Sequence, residues 1–383
     1  MASEVLIYLA YLAAILIIGL FTSVASHKFR IPHSLLILLA GIVVGKVQYN
    51  NAPLMQFPHS FILSISVLAL VAVSFDAASK FKLNNLDFFS SHTLWFSLVS
   101  LVFNFIFLSA AAIMVFGFKP AWLVIAFAVV MTGTDFEAFL ILKKAKSQLF
   151  EFLEIESMFN ALLSILLAFM ILDFNRVIGE EALSFQIAWP LIQNLAVSIA
   201  AGVLIGLVMF KFIGRKYSAI SSPLAVIACA LAAYIFAERI SGNGVLAVVS
   251  MGILFGNIHL KHKEQLHSFA SVFSSSLEVL VFFLIGLTAP LLLSFDFFIK
   301  SLFLFFIYIL IRFSAMLFSL RGMHFGVRNK LILALNAPKG IVAGAIIFAF
   351  ASLNIGGIES ILGLSVAFMV YSNVLYYVVG KMA

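Results

Sequence analysis

A few acidic and basic side chains lie inside long apolar runs of this sequence. They are Asp76, Asp135, Glu137, Glu156, Glu278, Arg312 and Lys339. An ionisable group at bilayer depth is costly unless it is paired or hydrated, so such groups usually line a cavity or an ion path. The set therefore indicates a candidate ion site, with buried ion pairs that only fix helix packing as the alternative.

Two of these charges lie beside residues that interrupt a helix. Residues 131–135 read Met-Thr-Gly-Thr-Asp, and residues 336–340 read Asn-Ala-Pro-Lys-Gly. An unwound helix offers backbone carbonyls and a carboxylate to a cation, and one interrupted helix in each half of the chain is typical of inverted-repeat secondary transporters. A proline kink with a snorkelling lysine is the alternative for the second segment.

The neighbouring polar side chains supply only oxygen ligands. Glu156, Ser157 and Asn160 are three or four residues apart and can share one helical face. Carboxylate, hydroxyl and amide oxygens suit a hard alkali cation, whereas transition metals prefer His or Cys. We therefore expect an alkali-cation site without a cofactor or a transition metal. Its predicted ligands are Asp135, Thr134, Ser157 and Asn160, with Asp76 and Glu137 as auxiliary carboxylates.

The elements that must position these residues are transmembrane helices. The 383 residues are 64% hydrophobic and only 10% charged, with a mean hydropathy of +1.18, which excludes a water-soluble fold. Continuous apolar runs predict an all-α polytopic membrane protein, a single transport domain (1–383) without a soluble regulatory domain. The thirteen predicted spans are 5–25, 31–48, 59–79, 92–117, 120–142, 150–172, 186–210, 218–237, 243–257, 269–292, 296–320, 330–352 and 359–380.

Basic residues set the predicted orientation. Sixteen of the 23 Lys and Arg residues fall in the odd-numbered connections and the C-terminal end, and five fall in the other connections. The positive-inside rule then places the N-terminus outside and the C-terminus in the cytoplasm of a cell-membrane protein. The net charge of +7 is thus a topology signal, and we expect no nucleic-acid partner.

Several segments resemble the monovalent cation:proton antiporters of the sodium/proton exchanger type, in the prokaryotic thirteen-helix branch. The similarity rests on residues 31–45, 242–257, Thr134-Asp135, the run from Glu156 to Asn160, and residues 337–340. The resemblance implies a homodimer with an interface bundle of approximately 1–90 and 186–292. It implies a mobile core bundle of approximately 91–172 and 296–380, in which two broken helices cross.

The resemblance also implies roles for single residues. Thr134 and Asp135 would lie beside the ion, Ser157 and Asn160 would support it, and Asp76 would help to close the site. Glu156 would form a structural ion pair with Lys339, which stands where the family more often has Arg. A second pair, Glu278 with Arg312, is predicted because these residues lie on consecutive helices.

One position departs from the family pattern. The family continues Asn160 with an Asp that is its principal ion- and proton-binding carboxylate, and this sequence has Ala161. A methyl group neither binds a cation nor carries a proton. Phe136 also replaces a common Pro, and Glu137 replaces an apolar residue. The chain is thus an inactivated antiporter, an antiporter whose binding carboxylate has moved to Glu137 or Asp76, or a diverged protein.

The resulting functional prediction is a secondary antiporter that exchanges Na⁺, or else Li⁺ or K⁺, for H⁺ by alternating access, with exchange impaired by Ala161. The alternative is an uncoupled cation permeation protein or a non-transporting homologue that uses Glu137 or Asp76. A channel would need a polar or carbonyl-lined pore, and an enzyme would need a catalytic set such as Gly-x-Ser-x-Gly. Neither pattern occurs in the sequence, so we expect no enzyme.

Overall fold

The computed structural model describes most of the chain. The described residues are 2–29, 31–49, 52–82, 88–135, 148–178, 185–215, 217–218, 221–260, 262–288, 294–321, 326–352 and 356–382. The predicted auxiliary ligand Glu137 and its neighbour Phe136 lie outside them.

Helices make up almost all of the described chain. They are α1 (Ala2–Phe29), α2 (His33–Lys46), α3 (His59–Ser79), α4 (Phe88–Phe103), α5 (Ser109–Phe116), α6 (Ala121–Val130), α7 (Gln148–Ile178), α8 (Phe185–Arg215), α9 (Ser221–Arg239), α10 (Gly244–Asn257), α11 (Lys263–Thr288), α12 (Phe295–Ser319), α13 (Val327–Leu335), α14 (Ile341–Ala351) and α15 (Ile358–Met382). A π-helical turn, Asn104–Leu108, continues α4 into α5. Two short strands, β1 (Gln48–Tyr49) and β2 (Ala52–Pro53), pair antiparallel between α2 and α3.

The all-α membrane fold predicted from the sequence is confirmed. Within the described residues, nine helical stretches are long and apolar enough to cross a bilayer, and four shorter helices are also apolar. Two predicted spans are interrupted. The fifth is described as α6 followed by non-helical residues up to Asp135, and the twelfth is divided into α13 and α14.

Helix α11 begins earlier than the sequence predicts, at Lys263 instead of residue 269. Hydropathy marks only the apolar part of a helix, and the polar residues 263–268 continue the same helix beyond it. This extra turn carries Lys263, His267 and Ser268, which line the cavity described below.

Glycines let the helices around the site approach closely. A Cβ atom at Gly41 of α2 would collide with the carbonyl oxygen of Phe283 on α11, and one at Gly286 of α11 would collide with that of Leu38 on α2. A Cβ atom at Gly252 of α10 would likewise lie 2.7 Å from the Ala78 Cβ and 2.9 Å from the Phe75 carbonyl oxygen, both on α3. Small residues at such contacts permit tight helix packing in membranes. They fix α3 and α11, two of the helices that form the walls of the cavity.

Candidate ion-binding site

The first break follows the C-terminus of α6. The helix ends at Val130, and residues 131–135 continue as a turn and then as non-helical backbone. Thr and Gly are poor helix formers, and a helix end leaves carbonyl groups without intrahelical partners. The helix is therefore interrupted at Thr132-Gly133-Thr134, as predicted, but the residues of this break are buried.

The second break lies between α13 and α14. Leu335 ends α13, and residues 336–340 are non-helical before α14 begins at Ile341. Pro338 has no backbone N–H to continue the helix, and its carbonyl instead accepts a hydrogen bond from the Asp135 N–H at 2.9 Å. The two breaks therefore cross and are joined by a main-chain hydrogen bond.

Lys339 of the second break binds the free carbonyl groups of the first break. Its side chain is fully buried, and its Nζ donates to the carbonyl oxygens of Met131 and Gly133 at 2.5 and 2.9 Å and to the Tyr308 hydroxyl at 2.7 Å. The C-terminal end of a helix carries a partial negative charge. The ammonium group thus satisfies the free carbonyls of α6 at the place where that charge lies.

The predicted ion pairs are wrong in their partners. Glu156 pairs with Arg312, whose Nη2 lies 2.6 Å from its Oε1, and both side chains are buried. The predicted pairs were Glu156 with Lys339 and Glu278 with Arg312. Lys339 is instead held by the end of α6. The long side chain of Arg312 reaches the α7 carboxylate, so Arg312 takes the partner that was predicted for Lys339.

Asp135 lies against Gly340 at the crossing. A Cβ atom added to Gly340 would overlap the Asp135 carboxylate, so only a glycine leaves room for this side chain. Asp135 is thereby placed beside the N-terminus of α14, where the partial positive charge of a helix favours an anion. Asp135 remains partly exposed.

A cavity of about 710 Å³ reaches this crossing. It is lined by four of the predicted ligands and by the residue that replaces the expected carboxylate: Asp76, Thr134, Asp135, Ser157 and Ala161. At the end of α3 and the start of α11 the wall also includes Lys80, Lys82 and Lys263. The structure thus brings together side chains of α3, α7, α11 and the first break.

Asn160 lies behind this wall. Its amide group is buried and donates to the Thr134 hydroxyl at 3.3 Å and to Glu156 Oε1 at 2.9 Å. Its Oδ1 atom is buried and has no hydrogen-bond partner among the described residues. Asn160 therefore connects the candidate ligand Thr134 to the Glu156–Arg312 pair.

A smaller cavity, of about 410 Å³, also reaches Asp135. Glu278 lies in its wall together with His27 and His33 from the first helical hairpin. Asp135 is therefore common to both cavities. Among the described residues, no group of three or more His, Cys, Asp or Glu side chains could hold a metal ion.

Four polar residues of the site are not among those predicted from the sequence. Asn104 in the π-helical turn donates to the Thr132 hydroxyl at 3.0 Å, and Asn373 of α15 donates to the Lys339 carbonyl at 3.0 Å. Tyr308 contacts Lys339, and Lys80 contacts Asp76. An amide inside an apolar run is a usable sequence signal for the two asparagines, as it is for Asn160.

Comparison with known proteins identifies the family. A family model described as "Sodium/hydrogen exchanger, transmembrane" matches residues 12–378. The chain belongs to this exchanger family. Its members are membrane antiporters, so this exchanger is a multi-pass membrane protein of the cation:proton antiport class.

Solved structures support the exchanger fold. A structure of the sodium proton antiporter MjNhaP1 from Methanocaldococcus jannaschii at pH 8 superposes with a TM-score of 0.80 at 19% identity, over 98% of this chain and 100% of that one. An electron-microscopy structure of the same antiporter gives a TM-score of 0.72 at 19% identity, over 97% and 94% of the two chains. At such identity the likeness concerns the fold alone.

Proposed function

We propose that this exchanger binds a monovalent cation, Na⁺ in the first place, in the cavity at the crossing and exchanges it for H⁺ by alternating access. The proposal rests on one observation. The 710 Å³ cavity that extends from the lysine-rich end of the bundle has Asp76, Thr134, Asp135 and Ser157 in its wall. The family description supports Na⁺, and Li⁺ and K⁺ remain to be compared with it.

The donor set fits an alkali cation. Asp135 offers a carboxylate at a helix N-terminus, and Thr134 and Ser157 offer hydroxyl oxygens. Asp76 adds a carboxylate oxygen, Oδ1, that is buried and has no hydrogen-bond partner among the described residues. Hard cations select such oxygen ligands. Competition between the cation and a proton for the same carboxylates would couple the two fluxes.

Ala161 is the reason for expecting weak exchange. Its methyl group lines the cavity one residue after Asn160, so an acidic side chain at this position would enter the candidate site. With alanine there, the site has one titratable carboxylate fewer than the family pattern supplies. We propose that proton-coupled exchange by this chain is absent or severely weakened.

We also propose the arrangement of the bundles and the orientation in the membrane. The core bundle (approximately 91–172 and 296–380) would move against a dimeric interface bundle (approximately 1–90 and 186–292). The cavity includes Lys80, Lys82 and Lys263, which belong to the lysine-rich side of the chain. By the positive-inside rule this is the cytoplasmic side of the cell membrane, with the N-terminus outside.

The test is dissipation of a pH gradient in proteoliposomes when Na⁺, Li⁺ or K⁺ is added. We expect slow exchange by the unchanged chain, and exchange about tenfold faster or more by Ala161→Asp, the equivalent of roughly 1.4 kcal/mol in the barrier. Ala161→Asn is the matched control because asparagine has nearly the same shape as aspartate without its charge. Exchange by this variant should remain slow.

Three outcomes would contradict the proposal. Robust exchange by the unchanged chain that is lost on Glu137→Gln would overturn the impairment and support a relocated carboxylate. If neither the unchanged chain nor Ala161→Asp exchanges any of the three ions, the substrate assignment is overturned. Cation flux without proton movement would favour the uncoupled permeation protein.

A further inference from the structure

The pairing of Asp76 with Lys80 is a feature of the cavity that the proposed function does not use. These residues lie four apart at the end of α3, on the same helical face. Lys80 Nζ lies 2.7 Å from Asp76 Oδ2, and the two side chains are 34% and 10% exposed. Both residues line the cavity that contains Asp135. A charged amine of the protein itself is therefore bound to one of the candidate cation ligands.

A second lysine–aspartate pair in the chain shows what is unusual about this one. Lys300 and Asp296 of α12 have the same spacing and the same 2.7 Å distance, but their side chains are 43% and 72% exposed. Exposed pairs of this kind contribute little to stability. Asp76, by contrast, is largely withdrawn from solvent, so water weakens its attraction to the amine beside it much less.

The Asp76 carboxylate is only half satisfied by this contact. Oδ2 accepts from Lys80, whereas Oδ1 is buried without a hydrogen-bond partner among the described residues. Leaving a buried acceptor unpaired is unfavourable. An incoming cation at Oδ1 would remove that penalty, but it would have to approach the positive charge of Lys80 at the same carboxylate.

The Lys80 side chain can move away from Asp76. It lines the cavity and is one-third exposed, and its flexible four-carbon stem lets the ammonium group move into water. Asp76 is held in the last turn of α3 and has no such freedom. Displacement of the amine by a small cation is therefore sterically simple, and the two cations compete for one anion.

We propose that Lys80 is a tethered competitor of the transported cation, occupying Asp76 when the cavity is empty and released into solvent when a cation binds. This inference rests on the proposed cation site and names the residue that sets the apparent affinity at that site. Removal of the ammonium group should tighten cation binding, although the removed residue belongs to a favourable ion pair.

The experiment is equilibrium binding of radioactive ²²Na⁺ to the purified full-length chain in detergent. We expect Lys80→Met to lower the Kd for Na⁺ about tenfold, and Lys80→Arg, which keeps the charge, to leave it near the unchanged value. Lys300→Met is the matched control and should have no effect. Asp76→Asn should weaken binding, and in that background Lys80→Met should no longer tighten it. Size-exclusion profiles and unfolding midpoints confirm that each variant is folded.

The outcomes separate this inference from the proposed function. Binding that is unchanged or weakened by Lys80→Met, in a chain that binds Na⁺ through Asp76, overturns the competition and leaves the cation site intact. Tightening by Lys80→Met that persists after Asp76→Asn also overturns it, because the effect would then not pass through that carboxylate. Absence of Na⁺ binding in all variants, including Ala161→Asp, overturns both.

Discussion

The two helix breaks cross at one point but carry opposite charges in opposite surroundings. The first break ends in Asp135, which is partly exposed to two cavities. The second break carries Lys339, which is fully buried and bonded to three oxygens. The carboxylate is thus accessible to an ion, whereas the ammonium group is part of the structure that holds the crossing together.

Each break is also secured by an asparagine from a neighbouring segment. Asn104 bonds to the hydroxyl of Thr132 in the first break, and Asn373 bonds to the Lys339 carbonyl in the second. Unwound backbone at membrane depth is tolerated where it is buried in protein or lines a cavity. We propose that the second break mainly fixes the crossing and that the first mainly binds the ligand. The following substitutions separate these roles.

The largest effect on stability is expected for Lys339→Met. Loss of the ammonium group leaves the carbonyls of Met131 and Gly133 and the Tyr308 hydroxyl without their donor. Unsatisfied buried groups of this kind cost on the order of 3 kcal/mol together, so the thermal unfolding midpoint in detergent should fall by roughly 5 °C.

Lys300→Met, which removes an exposed lysine, is the control for Lys339→Met and should leave the midpoint unchanged. Lys339→Arg should retain most of the stability because the guanidinium group can also donate to the carbonyls at the end of α6. If Lys339→Met unfolds at the same temperature as the unchanged chain, the ammonium group does not hold the crossing.

A smaller effect, confined to binding, is expected for Gly340→Ala. The backbone φ of Gly340 is −116°, which alanine adopts without strain, so the added methyl acts only through its contact with Asp135. Displacement of the carboxylate should weaken Na⁺ binding about tenfold with little change in the unfolding midpoint. Equilibrium ²²Na⁺ binding provides the measurement.

Gly326→Ala is the matched control, because nothing lies within 4 Å of a Cβ atom there and it also directly precedes a helix. Its Na⁺ affinity should equal that of the unchanged chain. Equal weakening by both substitutions would show that the loss comes from the second broken helix as a whole and not from the contact with Asp135.

The sequence predicts the parts of this site better than their pairing. Apolar run lengths are sufficient for the spans, and the Thr-Gly-Thr-Asp and Asn-Ala-Pro-Lys-Gly segments mark both breaks because their residues disfavour helix locally. The partner of Glu156 depends on which of two buried cations reaches it across the bundle. Lys339 and Arg312 both lie at mid-span, so either could reach Glu156. Spacing along the chain does not show that the end of α6 packs against Lys339 and binds it.

The same limit applies to Asp76. Its presence in an apolar run is visible in the sequence, and so is Lys80 four residues later. That the pair lies inside a cavity shared with Asp135, and not on the lipid or solvent surface, follows only from the packing of α3 against α10 and α11. The role of Lys80 could therefore not be predicted before the cavity was known.

The central claim is that the accessible carboxylate of the first break binds the cation. The most direct measurement is equilibrium ²²Na⁺ binding to the purified chain and to Asp135→Asn, which keeps the shape of the side chain and removes its charge. We expect binding to weaken at least about 100-fold, roughly 2.8 kcal/mol, while Asp296→Asn on the exposed part of α12 leaves it unchanged. Equal Na⁺ affinity of Asp135→Asn and the unchanged chain would contradict the account.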